Sequence, residues 1–212
     1  IYTLSLHDAL PICVSAATEL AEMCDLILTH NRDILLRADD SVMALADDCP
    51  YAVRRSRGYA PLPIMVKGDF HGAVVGIGGE LKNVFCLGKD NLFYLSPHIG
   101  DMSDVRTVAA LRQTIGRMED LLEIMPGLGA CDLHPQYNTT IVAHEQNLPL
   151  LPVQHHYAHV LSCMAENSCT GPVIGVALDG TGYGTDGTIW GGEILVADYQ
   201  AFTRYGSIMP FS

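Results

Sequence analysis

Short apolar runs separated by turn residues dominate the middle of the chain. Runs at 73–77, 81–87 and 92–95 are divided by Gly78-Gly79 and by Gly88-Lys-Asp-Asn91. Apolar runs of this length, bounded by glycine or asparagine, are typical of β-strands joined by tight turns. The pattern therefore predicts a three-stranded antiparallel meander.

The second half of the chain alternates between strand-like and helix-like segments. Polar residues at 100–103 precede a stretch that reaches Met125 and ends at Pro126-Gly127, which predicts a helix of about twenty residues. The segments that follow are predicted as strand 129–133, helix 136–146, strand 149–153, helix 155–167 and strand 173–178. Three meander strands followed by this order predict an α/β fold, an actin/Hsp70-like (ASKHA) half-domain.

The segments before residue 60 are shorter and less regular. We predict a helix end at 14–24, strands at 25–29, 41–46 and 51–55, and a linker at 57–63. A turn at 47–50 joins the last two strands. The linker is rich in glycine and proline, residues that interrupt regular structure. We therefore place a domain boundary there, after a small α/β remnant.

Both ends of the chain look interrupted. Residues 1–13 lead into the next segment without a cap, a turn or a shared period, and we interpret them as foreign sequence similar to sequencing-adapter read-through. Residues 205–212 stop within what looks like a continuing segment. We therefore expect an internal piece of a longer protein, with one partial domain over 14–60 and a second over 61–212.

Charge and composition narrow the class of protein. The 212 residues include 24 acidic and 12 basic ones, for a formal net charge of −12, and 49% are hydrophobic. Such a chain can bury a core, while its negative charge repels nucleic acid and anionic membranes. The exception is a cluster of arginines at 54, 55 and 57, which can form a local anion site. No apolar run approaches the roughly 20 residues of a membrane span, so we expect a soluble protein without nucleic-acid or membrane partners.

The cysteines indicate a reducing compartment. None of the seven belongs to a CxxC pair. Several lie inside apolar runs, where reduced thiols behave as small hydrophobic side chains. The expected localisation is therefore cytoplasmic.

Two histidines four residues apart suggest a metal site. His155 and His159 follow strand 149–153 at the start of a predicted helix, so their side chains share one helix face. Ligands of α/β proteins commonly bind at such strand ends. Asp179, at the end of strand 173–178, is the expected carboxylate ligand at the same sheet edge, and this set suits zinc and iron alike. The alternatives are packed or surface histidines, and an aspartate that only caps the next turn.

A glycine-rich segment follows Asp179 between two predicted strands. Dense glycine lets backbone N–H groups approach an anion, and neither a Walker motif nor a Rossmann helix follows. An actin/Hsp70-like phosphate hairpin is therefore predicted, and a long twisted hairpin with glycines at bulges is the alternative. The residues predicted to bind nucleotide phosphate are Gly180, Thr181, Gly182, Gly184, Asp186 and Gly187.

Several motifs together resemble the HypF carbamoyltransferase family. They are Gly-Gly-Glu-Leu-Lys-Asn (78–83), Ser-Pro-His-Ile-Gly-Asp (96–101), Asp-Leu-His-Pro (132–135), Val-Gln-His-His-Tyr-Ala-His (153–159), Cys-Met-Ala-Glu-Asn (163–167) and the segment 179–193. The resemblance extends from about residue 25 to the end. The domains it implies are the C-terminal part of a YrdC-like domain over 14–60 and the truncated N-terminal lobe of a Kae1-like domain over 61–212.

The resemblance implies an ATP-dependent enzyme with a multi-step reaction. It implies hydrolysis of carbamoyl phosphate, formation of carbamoyl adenylate with ATP in the YrdC-like domain, and carbamoyl transfer in the Kae1-like domain. The acceptor it implies is the C-terminal cysteine thiol of HypE, and the product supplies cyanide in nickel-iron hydrogenase maturation. We expect this chain alone to be inactive, because the family's other domains lie outside it.

The resemblance also assigns ligands residue by residue. It places the family's two metal-binding histidines on His155 and His159, and a carboxylate of that site on Asp179. A further aspartate ligand is expected beyond the end of this sequence. Arg55 and Arg57 are expected to bind the anionic phosphate of the adenylate, with surface salt bridges as the alternative. No catalytic residue is assigned.

Two other functions stay open. One is a Kae1/TsaD-like protein, which transfers threonylcarbamoyl to tRNA and shares the helix that carries the two histidines. The YrdC-like tail, the Asp-Leu-His-Pro motif and the acidic charge argue against this function. A non-enzymatic nucleotide-binding module of actin/Hsp70 type is the second. The pair His155 and His159 argues against that module, because such proteins bind nucleotide without a histidine-held metal.

Overall fold

The computed structural model describes residues 17–18, 20–28, 31 and 37–208. The predicted foreign segment 1–13 lies outside these residues. The predicted strand 25–29 is wrong over its described part, because Leu26 to Leu28 form no strand and Leu26 and Leu28 are 89% and 98% exposed. An apolar run alone does not make a strand when no neighbouring strand accepts its backbone hydrogen bonds.

The first strands in the described part of the chain are β1 (Val42–Ala46) and β2 (Cys49–Arg54), which pair antiparallel as a hairpin in a sheet of their own. Asp47 and Asp48 connect the strands, with φ angles of 48° and 62°. Two consecutive residues with positive φ are typical of the tight turns that match the twist of a hairpin. The two predicted strands are confirmed, and the turn is shorter than predicted.

The elements predicted after residue 60 follow in the predicted order, together with strands at 63–65 and 202–207 that the sequence pattern does not predict. The strands are β3 (Pro63–Met65), β4 (Ala73–Ile77), β5 (Phe85–Lys89), β6 (Leu92–Leu95), β7 (Leu128–Asp132), β8 (Leu150–Val153), β9 (Val173–Tyr183), β10 (Ile189–Ala197) and β11 (Phe202–Ser207). The helices are α1 (Val105–Leu122), α2 (Asn138–Glu145) and α3 (His155–Glu166). The α/β fold class is therefore confirmed.

A six-stranded mixed sheet has the spatial order β3-β6-β5-β4-β7-β8. The strands β4, β5 and β6 pair antiparallel, which confirms the meander, while β7 and β8 extend the sheet in parallel from β4. Because β4, β7 and β8 run parallel, their carboxyl ends meet at one edge. Ligands of open α/β sheets bind at this kind of edge.

Helices α1 and α2 bury one face of this sheet. Asp104 caps α1 by accepting the backbone N–H of Arg106 at 2.8 Å. The buried apolar side chains of α1 recur every three or four residues and pack with Phe85 and Leu87; they are Val108, Leu111, Ile115 and Met118. This spacing places them on one helix face. Within the described ranges, no helix combines the length and apolar composition needed to cross a membrane.

The strands β9, β10 and β11 form a second, antiparallel sheet. Strand 173–178 is predicted to lie in the same sheet as β8, and this prediction is wrong, because β9 pairs with β10 along most of its length. Helix α3 packs on this second sheet through Val160 and Met164. A Cβ at Gly175 would lie 2.4 Å from Val160, so glycine permits the close approach of β9 to α3.

Candidate metal centre

The two predicted ligand histidines lie on the first turns of α3. The parallel strand β8 ends at Val153, and Gln154 caps the helix by accepting the backbone N–H of Tyr157 at 2.9 Å. One helical turn separates His155 from His159, so both rings face the same side, with their Nε2 atoms 3.2 Å apart. The predicted shared helix face is confirmed.

Asp179 approaches these histidines from the second sheet. Its Oδ2 atom lies 2.9 Å from Nε2 of His155 and 3.7 Å from Nε2 of His159. Ligand atoms of the three residues lie within 4.8 Å of one another. Asp179 lies inside β9 rather than at the end of a strand of the first sheet, so its predicted position is wrong although its proximity is as expected.

The spacing of these atoms suits one metal ion. Nitrogen and oxygen ligands bind zinc at about 2.0–2.1 Å in a tetrahedral arrangement, so two ligand atoms of one ion lie about 3.3 Å apart. The separations of 2.9, 3.2 and 3.7 Å bracket that value. Two imidazoles and a carboxylate also form a ligand set that zinc and iron accept. The three residues therefore fit the metal that the sequence predicts.

A second carboxylate contacts the other ring nitrogen of His155. Asp132 ends β7, and its Oδ2 atom lies 2.7 Å from Nδ1 of His155. The side chain of Asp132 is only 6% exposed, against 25% for His155. The hydrogen bond to Asp132 raises the pKa of His155, while burial of the ring opposes the increase and the charge of Asp179 adds to it. Carboxylates thus flank both nitrogens of this ring.

Sequence reasoning did not assign Asp132 to the cluster. The residue pairs with Val153 across the parallel strands β7 and β8, two positions before His155. A signal was present in the sequence, because both Asp132 and His155 lie at the carboxyl ends of predicted strands, and such ends meet when the strands are neighbours. Only the sheet order shows that these strands are neighbours.

The third histidine of α3, His156, is a buried packing residue. His156 is fully buried, and its Nδ1 atom lies 3.1 Å from Nε2 of Gln154. Burial lowers the pKa of His156, which favours the neutral ring. A Cβ at Gly182 would lie 2.5 Å from Cε1 of His156 and 3.0 Å from Cβ of His155. The missing side chain at Gly182 therefore lets β9 reach the first turn of α3.

The predicted phosphate-binding segment consists largely of strand. Gly180, Thr181 and Gly182 belong to β9, so the predicted glycine loop is wrong in its extent. The reason is pairing, because Gly182 lies opposite Trp190 in β10. The backbone N–H of Gly180 donates to Oδ1 of Asp179 at 2.7 Å, and both Gly180 and Thr181 are exposed.

The turn that remains is held by its own hydrogen bonds. Oδ1 of Asp186 accepts the backbone N–H of Thr188 at 3.0 Å, its hydroxyl at 2.7 Å, and the indole N–H of Trp190 at 3.0 Å. The backbone N–H of Gly184 donates to Thr188 and that of Gly187 donates to Gly184. These contacts match the alternative of a twisted hairpin, and phosphate binding by this segment stays a prediction.

A cavity of about 600 Å³ opens beside the histidines, between α3 and the first sheet. Its lining includes Gly78, Gly79, Cys86, Cys131, Asp132 and Ser162 together with His155 and His159. Burial raises the pKa of Cys86 to about 11, and burial also raises the pKa of Cys131. Both thiols therefore stay protonated near neutral pH, and the cavity has the volume of a small-molecule site.

The two arginines predicted to bind the adenylate do not line this cavity. The guanidinium of Arg55 donates to the carbonyl of Leu62 at 2.9 Å, and burial lowers its pKa. Arg57 is 69% exposed, donates to the carbonyl of Ala38 at 3.1 Å, and lies 3.5 Å from Asp40. The contact with Asp40 matches the salt-bridge alternative, and adenylate binding stays a prediction.

Two family models match the chain. One described as the HypF Kae1-like domain matches residues 70–166. One described as the second subdomain of the carbamoyltransferase Kae1-like domain matches residues 175–212. The second match begins within β9, the first strand of the separate three-stranded sheet.

Curated relatives match nearly the whole chain but only part of their own length. Carbamoyltransferase HypF of Rhizobium leguminosarum bv. viciae is 44% identical over 195 residues, which are 92% of this chain and 26% of that protein. Carbamoyltransferase HypF of Synechocystis sp. is 39% identical over 199 residues, 93% of this chain and 26% of that protein. These matches favour HypF over the tRNA-modifying and actin/Hsp70-type alternatives.

Solved structures agree with the sequence comparison. A crystal structure of full-length HypF in its phosphate- and nucleotide-bound form superposes with a TM-score of 0.87 at 42% identity, covering 92% of this chain and 31% of that one. The structure of HypF from T. kodakarensis gives 0.83 at 41% identity, covering 93% and 26%. The chain therefore belongs to the HypF carbamoyltransferase family, and it spans about a quarter of the length of the curated relatives it matches.

Proposed function

We propose that the whole protein to which this chain belongs transfers a carbamoyl group from carbamoyl phosphate to the C-terminal cysteine thiol of HypE. The transfer proceeds by way of carbamoyl adenylate made with ATP, and it supplies cyanide for nickel-iron hydrogenase maturation. Membership of the HypF family and the name carbamoyltransferase of its relatives support the proposal. The reaction belongs to the whole protein and takes place in the cytoplasm, and this chain alone is proposed to be inactive.

The observation that carries the proposal is the convergence of His155, His159 and Asp179, whose two histidines line a cavity of small-molecule size. These residues would hold zinc or iron, together with an aspartate from outside this sequence. A metal bound there supplies Lewis-acid polarisation of a carbonyl or phosphoryl oxygen. Actin/Hsp70-type modules bind nucleotide without such a histidine pair, so the cluster favours group transfer over nucleotide binding alone.

The group transfer itself is an acyl substitution. The thiolate of HypE attacks the carbonyl carbon of carbamoyl adenylate, a C–S bond forms, the C–O bond to the phosphate breaks, and AMP leaves. Cys86 and Cys131 line the cavity as protonated thiols, because their pKa values are raised, and therefore do not compete as nucleophiles. The acceptor sulfur is therefore assigned, as part of the proposal, to the cysteine of HypE.

The phosphate end of the adenylate needs its own contacts. We assign these to the segment Gly180 to Gly187 and to Arg55 and Arg57, as the family resemblance implies. The exposure of Gly180, Thr181 and Arg57 supports this assignment. The same proposal makes residues 14–60 the end of a YrdC-like domain and 61–212 part of a Kae1-like domain.

The test uses the full-length protein that contains this chain. The double variant His155→Ala/His159→Ala is compared with the unchanged protein and with His71→Ala, a histidine on an exposed loop. Metal content is measured by mass spectrometry, and so is carbamoylation of the HypE cysteine. We expect the double variant to lose metal and transfer while it still forms carbamoyl adenylate, and His71→Ala to keep all three.

Retained transfer in a metal-free double variant would make the histidines structural and refute the mechanism. Loss of adenylate formation together with transfer would also contradict it, because adenylation is proposed to occur in the other domain. Transfer to tRNA instead of HypE would support the Kae1/TsaD-like alternative.

A further inference from the structure

We propose that Asp132 is a positioning residue that fixes the tautomer and ring orientation of His155 for metal binding. The inference rests on the proposed function of the same cluster. Asp132 contacts Nδ1 of His155, on the opposite side of the ring from the Nε2 atom that faces Asp179 and His159. Its carboxylate therefore acts through His155.

The carboxylate of Asp132 is held at both oxygen atoms. Oδ2 lies 2.7 Å from Nδ1 of His155, and Oδ1 accepts the backbone N–H of His134 at 2.8 Å. The side chain is only 6% exposed, so few water molecules compete for these contacts. Because β7 places Asp132 beside the end of β8, the backbone fixes where this carboxylate sits relative to α3. Rotation of the side chain would break both contacts.

The contact decides which nitrogen of His155 is available to a metal. An ionised carboxylate only accepts hydrogen bonds, so Nδ1 of His155 must carry the proton at this contact. With a metal held between His155 and Asp179, the neutral ring would then offer the lone pair of Nε2, the atom that faces Asp179 at 2.9 Å. Without Asp132 the other tautomer competes, and its protonated Nε2 cannot bind a metal. Carboxylates that accept from metal-binding histidines commonly act in this way.

Asp132→Asn tests the tautomer with almost no change in shape. If the amide oxygen keeps the contact with His134, the NH₂ group faces Nδ1 of His155 and stabilises the tautomer with a proton on Nε2. If the amide is turned around, its NH₂ group faces the N–H of His134, and two donors oppose each other. The first orientation reverses the direction of the hydrogen bond with His155, and the second removes the hydrogen bond with His134.

The measurement is zinc affinity of the full-length protein, by competition with a chromophoric chelator. We expect Asp132→Asn to bind zinc about 10–100-fold more weakly than the unchanged protein. The matched control is Asp198→Asn, an aspartate whose Oδ1 likewise accepts backbone N–H groups, from Gln200 and Ala201, but which is outside the cluster. We expect this control to bind zinc within about twofold of the unchanged protein, since an amide oxygen can keep both contacts.

X-ray absorption supplies a readout that a general loss of structure would not give. We expect two imidazole ligands per zinc in the unchanged protein and one in Asp132→Asn, with the same far-UV circular dichroism. If the asparagine variant is misfolded, Asp132→Glu decides, because it keeps an acceptor-only carboxylate. A zinc affinity of a folded Asp132→Glu variant within about tenfold of the unchanged protein supports the proposal, and a loss of about 100-fold or more overturns it.

The outcomes separate this inference from the proposed function. Unchanged zinc affinity in a folded Asp132→Asn variant would overturn the role of Asp132, and it would leave the metal site intact if His155→Ala still lost zinc. Unchanged affinity in His155→Ala would instead overturn the metal site itself.

Discussion

Replacement of Gly182 by alanine is expected to separate the second sheet from the metal-binding helix. The added Cβ would lie 2.5 Å and 2.8 Å from Cε1 and Nδ1 of His156, and 3.0 Å from Cβ of His155. Ordinary contacts between such atoms are about 3.5–4.0 Å. Either β9 or the start of α3 must therefore move by about 1 Å. Asp179 lies three residues earlier on β9, so the movement also displaces the carboxylate from the histidines.

The expected magnitude follows from two opposing effects. Overpacking of a well-packed site costs about 1–3 kcal/mol. Loss of glycine's freedom in the unfolded chain recovers about 0.4–1 kcal/mol where the backbone conformation suits alanine. We therefore expect Gly182→Ala to lower the free energy of unfolding by about 1–2 kcal/mol. Zinc affinity should fall by about tenfold or more, because metal sites tolerate little displacement of a ligand.

The assay combines urea unfolding of the metal-free protein with chelator competition for zinc. Gly206→Ala is the matched control, because Gly206 is in the same sheet and a Cβ there would meet no atom within 4 Å. The control should unfold within about 0.5 kcal/mol of the unchanged protein. Equal stability and equal zinc affinity in Gly182→Ala and Gly206→Ala would refute the argument that close packing requires Gly182.

Three further outcomes are expected. Arg204→Ala should lower the free energy of unfolding, measured in urea titrations, by about 3 kcal/mol, because it leaves the buried carboxylate of Glu193 without its bidentate partner. A free energy of unfolding equal to that of the unchanged protein would contradict this. Iodoacetamide at pH 9 should modify the exposed Cys163 well before Cys86, whose pKa is about 11. Mass spectrometry follows the modification of each cysteine, and equal rates for the two would contradict this expectation. The raised pKa of His155 should stabilise the metal-free protein below pH 6.5, and this stabilisation should disappear as the pH rises through the pKa that His155 has in the folded protein. The same pH dependence of unfolding in a His155→Gln variant would contradict this.

Helix α3 and its two ligand histidines could be predicted from the sequence, because the residues that signal them are neighbours in the chain. His155 and His159 are four residues apart after an apolar strand, and helical geometry alone then brings their rings together. The meander and the alternating strands were predictable for the same reason, since the period of apolar residues and the turn residues between them are properties of neighbouring positions. The place of Asp179 at the end of an apolar run already indicated a carboxylate ligand, and the family motifs indicate the same residue.

Positions that depend on sheet order were not predictable in this way. Asp132 was missed because its contact with His155 requires β7 to lie directly beside β8. Asp179 was expected at the edge of the first sheet, yet it reaches the cluster from β9 in the second. The apolar run at 25–28 carried a strand-like pattern and forms no strand in the part of the chain that the structure describes.

The sequence by itself thus determined the order of most helices and strands after residue 40, with β3 and β11 as the exceptions, and the pair of histidines on one helix face. Tertiary structure alone decided which strands share a sheet, which second carboxylate contacts His155, and why Gly182 must lack a side chain. The physical reason is the distance along the chain over which each kind of interaction acts. Backbone conformation and side-chain periodicity act over a few residues, whereas strand pairing and close packing join residues that are distant in the chain, and only their combined free energy selects one arrangement.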